Sequence, residues 1–159
     1  MLFRSAADAN FEVLRSDVVR KELTAGRVEN IYTDVWTERT YAELLARAEK
    51  LFWQGRRVLI DANFRQDSWR RRFLDAARRW CVPALFVQCQ AQPAVIQQRL
   101  AARHNDASDA DGQVYQLLEL TWQPLSDEVQ RVTVALNPGN AIESCKDSVF
   151  HALAGSGIG

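Results

Sequence analysis

Four short runs in this chain are close to continuously apolar, and a stretch of helical periodicity follows each of them. The runs are Phe11 to Leu14 (FEVL), Val58 to Ile60 within RRVLIDA, Ala84 to Val87 within PALFVQC, and Val132 to Leu136 (VTVAL). Strands that are exposed on one face alternate between apolar and polar residues. Runs that do not alternate fit a parallel sheet covered by helices on both faces. Alternation of such strands with helices predicts an α/β fold.

The helical stretches have readable stripes. Tyr41, Leu44, Leu45, Ala48 and Phe52 lie on one face, and Trp69, Phe73, Ala76, Ala77 and Trp80 on another. Arg70, Arg71, Arg72, Arg78 and Arg79 fall beside the second stripe and read as a solvated face. Ile142, Cys145, Val149 and Leu153 make a third stripe. Shorter helices fit Pro93 to Arg103, with proline in the first turn, and Gln113 to Leu120, which stops before Pro124. We expect one domain over residues 1–154 and a frayed tail over 155–159.

Composition narrows the function classes. The 20 basic and 20 acidic side chains cancel, so a protein held mainly by nucleic-acid phosphates is not favoured. The three cysteines cannot close a disulfide framework, and none sits in a C-x-x-C pair; they read as reduced thiols. No apolar run approaches the ~18 residues of a membrane span, and no leader pattern opens the chain. The expected location is cytoplasmic.

In an open parallel sheet, ligands gather beyond the carboxyl ends of the strands. After FEVL come Arg15, Ser16 and Asp17, with Arg20 one turn further along a helix. After VLI come Asp61, Ala62 and Asn63. A carboxylate at such an edge can take a proton from a hydroxyl or help hold magnesium. Ser16 or Asp17 could equally cap the helix that follows, and Asp61 or Asn63 its own turn. Arg99 and Arg103 share a helix face ahead of the polar stretch HNDASDAD. They suit a lid over phosphates, or a solvated helix face with a loop behind it.

The segments LRSDVVRKEL, VLIDANFRQDSWRRRF and RLAARHNDASDAD, in that order, resemble the P-loop kinases related to polynucleotide kinase, gluconate kinase and zeta toxins. The likeness is greatest to the kinase-like domain fused behind aminoglycoside-phosphotransferase-like domains, and it covers about Phe11 to Pro138. The resemblance implies a three-layer P-loop fold, ATP and Mg2+ as cofactors, and transfer of phosphate to a hydroxyl of a small-molecule acceptor. It makes Asp17 the candidate general base and Arg20 an acceptor-binding arginine. It puts Asp61 near magnesium or acceptor with Asn63 beside it, and Arg99 and Arg103 near the nucleotide phosphates.

One family element does not occur in these 159 residues. A G-x-x-x-x-G-K-[ST] loop, whose backbone N–H groups cradle the phosphates, would precede the first matched strand. Here no glycine precedes Gly26, and none of Lys21, Lys50 and Lys146 follows a glycine. We expect a truncated kinase domain without its first, central strand, with little or no activity by itself. A non-catalytic binding protein derived from such a kinase is the alternative. A gap between the second and third strands would then have to be closed, swapped across, or covered by a homodimer or a fused upstream domain.

Overall fold

The computed structural model describes residues 10–25, 31–90, 120–136 and 142–155, with backbone only for 142–146. The chain divides into two compact units, Met1–Asn63 and Phe64–Gly159.

In the first unit, strand β1 (Phe11–Arg15) runs directly into helix α1 (Ser16–Leu23). Helix α2 (Asp34–Trp53) then leads to strand β2 (Arg57–Asp61). β1 and β2 pair in parallel, from Phe11 opposite Arg57 to Arg15 opposite Asp61. Glu12 and Arg56 form a hydrogen-bonded ion pair beside this ladder. The start of α2 is set by Thr33, whose hydroxyl accepts from the Trp36 N–H at 3.4 Å. Of the expected stripe, Tyr41, Leu44 and Ala48 are buried, Thr40 joins them, and Leu45 and Phe52 are half-buried.

Gly55 ends α2. Its N–H bonds the Phe52 carbonyl at 2.8 Å and the Arg56 N–H bonds that of Leu51 at 3.0 Å. This double closure needs a left-handed residue, and Gly55 supplies φ 74°.

In the second unit, helix α3 (Asp67–Arg79) precedes strand β3 (Phe86–Cys89). A short helix α4 (Asp127–Gln130), strand β4 (Thr133–Leu136) and helix α5 (Ile142–Gly155) follow. β3 and β4 pair in parallel, Phe86 opposite Thr133 and Cys89 opposite Leu136. Phe64 packs edge-on against Phe73, with centroids 5.1 Å apart, and against Phe86 at 5.6 Å. Phe64 holds this position at φ 45°, a backbone state that an aromatic residue rarely adopts.

The alternation of strands and helices and the parallel pairing are those of an α/β protein, as expected. Four details differ. β1 and β2 carry no fully buried residue, where strands covered on both faces were expected. The hydrogen bonding gives the reason: among the described residues β2 pairs only with β1 and β3 only with β4, so every strand lies at an edge. β3 begins at Phe86 rather than Ala84, and α4 was not expected from the sequence.

The fourth difference concerns Arg70, read as part of a solvated face. It is only 2% exposed. Its Nη2 donates to the carbonyls of Arg65 at 2.9 Å and Gln123 at 2.7 Å. Its guanidinium also lies 4.9 Å from the centroid of Trp122. Arg71 and Arg72 are exposed, as expected. The expected helices over 93–103 and 113–120 fall on residues outside those described, apart from Leu120.

Candidate functional site

The register of the first ladder builds the site. Because Arg15 stands opposite Asp61, both strands end at one edge. Ser16 and Asp17 leave it on one side, Ala62 and Asn63 on the other. Arg15 Nε lies 3.5 Å from Asp61 Oδ2 across the last rung. The pair is partly solvated, so it orients the Asp61 carboxylate more than it stabilises the fold.

The helix-capping alternative is not what the fold uses for Ser16 and Asp17. The N-cap of α1 is Arg15, which makes no side-chain cap bond; Ser16 and Asp17 are already inside the first turn. There the unpaired N–H groups of the helix favour the Asp17 carboxylate. The N-cap of α3 is Gln66, so neither Asp61 nor Asn63 serves it.

Arg20 follows one turn after Asp17 on α1 and is 6% exposed. Its Nη1 donates to the Ile31 carbonyl at 2.9 Å, and its guanidinium carbon lies 5.3 Å from the Tyr32 ring centroid. Burial pulls its pKa below the ordinary arginine value, while Tyr32, Tyr41 and Asp17 act against that shift. Thr24 closes α1 beneath it, its hydroxyl donating to the Arg20 carbonyl at 3.0 Å.

Tyr41 is the site residue that sequence reasoning missed. Its ring is buried in the α2 stripe, as its spacing predicts, but its hydroxyl donates to Asn63 Oδ1 at 3.0 Å. The only signal in the sequence was that a tyrosine, and not a phenylalanine, occupies this stripe position. Tyr41 thereby connects two predicted site residues: it bonds Asn63 and lies near enough to Arg20 to influence its charge. Arg15 brings in a third, Asp61. Arg99 and Arg103 lie outside the described residues, as does the polar stretch that follows them.

Chemically, this edge offers two carboxylates, a buried guanidinium and an amide held by a phenol. Among the described residues no group of three or more His, Cys, Asp or Glu side chains could hold a metal. Magnesium at phosphate sites needs only one or two carboxylates, and Asp17 and Asp61 are of that type. A cradle of N–H groups for nucleotide phosphates is a different matter, since no G-x-x-x-x-G-K-[ST] stretch occurs in the 159 residues. No helix among the described residues is long and apolar enough to cross a membrane.

A family model described as "AAA domain" matches residues 2–125. No curated protein sequence matches the chain. Among solved structures, a sugar kinase from Janibacter sp. HTCC2649 superposes with a TM-score of 0.72 at 16% identity, covering 94% of this chain and 83% of its own. A gluconokinase from Sinorhizobium meliloti 1021 gives a TM-score of 0.67 at 16% identity, covering 95% and 81%. The fold is thus shared with kinases, at an identity too low to carry a substrate across.

Proposed function

Because this chain belongs to the AAA domain family and has a kinase-type α/β fold, we propose that it forms the acceptor side of a phosphotransferase acting on a hydroxyl of a small, sugar-like molecule. One observation carries this reading. The β1–β2 register brings Asp17, Asp61 and Asn63 to one sheet edge, with Arg20 one turn behind.

In this reading Asp17 takes the proton of the acceptor hydroxyl, which requires a carboxylate and not an amide at that point. Asp61, steadied by Arg15, faces the acceptor or a magnesium ion, and Asn63 and Arg20 orient the acceptor. ATP with magnesium supplies the transferable phosphoryl group in kinases of this kind. Arg99 and Arg103 belong to the phosphate side, as the resemblance to P-loop kinases implies. The names of the two structural neighbours, a sugar kinase and a gluconokinase, suggest a polyol or sugar acid as the first acceptor to try.

A second reading is favoured by the absence of a phosphate-cradling sequence from these residues. In it, the chain binds such a molecule without turning it over. Both readings predict acceptor binding, and they part over phosphoryl transfer. Titration of the 159-residue chain with D-gluconate and D-glucose, followed by ligand-observed NMR, tests what they share. Binding that Asp17→Ala weakens supports an acceptor site at this edge. No binding of either compound, with the fold intact, refutes both.

A further inference from the structure

We propose that the outer face of α2 is a dimerisation surface, on which a second copy of this chain packs with its own α2 running parallel.

Apart from Asp34, every exposed residue of α2 falls within one stripe. At 3.6 residues per turn that stripe is about 120° wide. Val35, Ala42, Ala46 and Trp53 follow its midline. Val35 and Trp53, near the two ends of the helix, are 62% and 70% exposed, so each leaves a large apolar surface in water. Between them the two alanines make a shallow stretch that another helix can approach closely.

The charges beside the midline decide what the face fits. Glu38 and Glu49 line one flank, and Arg39 and Lys50 line the other. Acid and base therefore stand at matching heights, 38 beside 39 and 49 beside 50. A twofold axis parallel to the helix sets the acidic flank of each copy against the basic flank of the other. Glu38 then meets the partner's Arg39, and Glu49 meets the partner's Lys50. The same axis places Val35 against the partner's Val35, and the alanines and Trp53 likewise against themselves. An antiparallel pair would bring acid to acid and base to base, which the charges oppose.

These side chains also have contacts within the chain. Glu38 and Glu49 interact there, and the Arg39 guanidinium lies 5.0 Å from the Trp36 ring centroid. Such contacts do not withdraw them from an interface. A carboxylate has about four acceptor positions, and ion pairs between solvated side chains are weak enough to be shared or exchanged.

The size of the face sets the strength of the dimer. A helix of 20 residues is about 30 Å long. A strip of that length and about 10 Å wide buries roughly 600 Å2 over both copies, well below the ~1,600 Å2 of a standard stable complex. The dimer is accordingly weak and concentration-dependent.

Sedimentation velocity of the 159-residue chain, from roughly 10 µM to 1 mM, tests the proposal. The chain should pass from monomer toward dimer across that range. Trp53→Ala should weaken association by about 10-fold or more, as should Glu38→Lys combined with Glu49→Lys. Adding Arg39→Glu and Lys50→Glu to that pair exchanges the two flanks and should restore association. All of these positions are exposed, so the fold should survive the changes. A chain that stays monomeric throughout, or a dimer that none of these variants weakens, overturns the proposal.

Val35→Cys reads the direction of the pair. Parallel packing puts the two substituted positions face to face, whereas an antiparallel pair over the same stripe sets them about 27 Å apart. Under mild oxidation a disulfide joining the two position-35 sites should form, as identified by peptide mass spectrometry. A dimer cross-linked only through Cys81 or Cys89 overturns the proposal.

Discussion

Arg70 donates to the carbonyl of Gln123 at 2.7 Å, although the two residues stand 53 apart in the sequence. The same Nη2 donates to the Arg65 carbonyl, and Asp67 Oδ1 accepts the Ser126 N–H at 3.1 Å. Gln123 returns the contact: its N–H bonds the Arg65 carbonyl and its side chain accepts the Asp67 N–H at 2.8 Å. The start of α3 and the segment 121–126 are thus fastened by a closed set of polar contacts around one buried cation.

Removing that cation should be expensive. Arg70→Ala takes its donor from the Gln123 carbonyl, removes one of the two donors on the Arg65 carbonyl and empties a packed site. We expect a loss of about 2–4 kcal/mol. Arg70→Lys should recover little, because one ammonium cannot span the directions that the guanidinium fork serves. Arg71→Ala, which removes the ion pair of an exposed guanidinium with Asp67, should cost no more than about 1 kcal/mol. Urea midpoints of the three variants decide this; equal losses for Arg70→Ala and Arg71→Ala would remove Arg70 from its role.

The contrast between Arg70 and its neighbours also shows what a sequence can reveal. β1, β2 and the stripe of α2 were legible because their signal is local: a short apolar run, or a repeat every three to four residues. Arg70 sits in a run of three arginines, and spacing alone cannot single out the one that is buried. Its acceptors come from Arg65 and from a segment far along the chain. Tyr41 was hidden differently. Its ring obeys the stripe, and only the partner of its hydroxyl, supplied by β2's far end, gives it a place in the site. The pairing of Asp17 and Asp61 at one edge was legible because strand ends can be located from the runs themselves.

Two helix ends with the same closure carry different residues. Cys81 ends α3 as Gly55 ends α2: its N–H bonds the Arg78 carbonyl at 3.1 Å and the Val82 N–H bonds that of Ala77 at 3.0 Å. Cys81 does this at φ 54° with a side chain that disfavours it. A Cβ on Gly55 would meet nothing within 4 Å, so Gly55→Ala isolates the backbone term. We expect Gly55→Ala to cost about 1 kcal/mol and Cys81→Gly to gain about 0.5–1 kcal/mol. Thermal melts showing both changes destabilising would contradict the shared motif.

Arg20 allows stability and binding to be separated. A buried guanidinium bonded to a backbone carbonyl and stacked near a tyrosine adds little to a fold, because desolvation offsets what its contacts return. Arg20→Met, of similar length and without charge, should therefore leave stability within about 1 kcal/mol. If Arg20 serves an anionic acceptor, the same variant should lose gluconate binding. A variant that unfolds would make Arg20 a structural residue. One that keeps full gluconate affinity would remove it from the acceptor site.

Asp17 provides the test that divides a kinase from a binding protein. Phosphoryl transfer depends on positioning and on neutralising charge over the transferring group, and backbone N–H groups around the phosphates supply much of that. The 159 residues include no G-x-x-x-x-G-K-[ST] stretch, so we expect no phosphorylated product from ATP, magnesium and gluconate when followed by 31P NMR. Acceptor binding should persist. Product formation would show that the phosphates are held by other residues, and Asp17→Asn would then report on the base. As a base, Asp17 requires that Asp17→Asn abolish turnover while gluconate affinity changes only a few-fold. A parallel fall in both would make the Asp17 carboxylate a binding group for the acceptor hydroxyl and leave the proton to another residue.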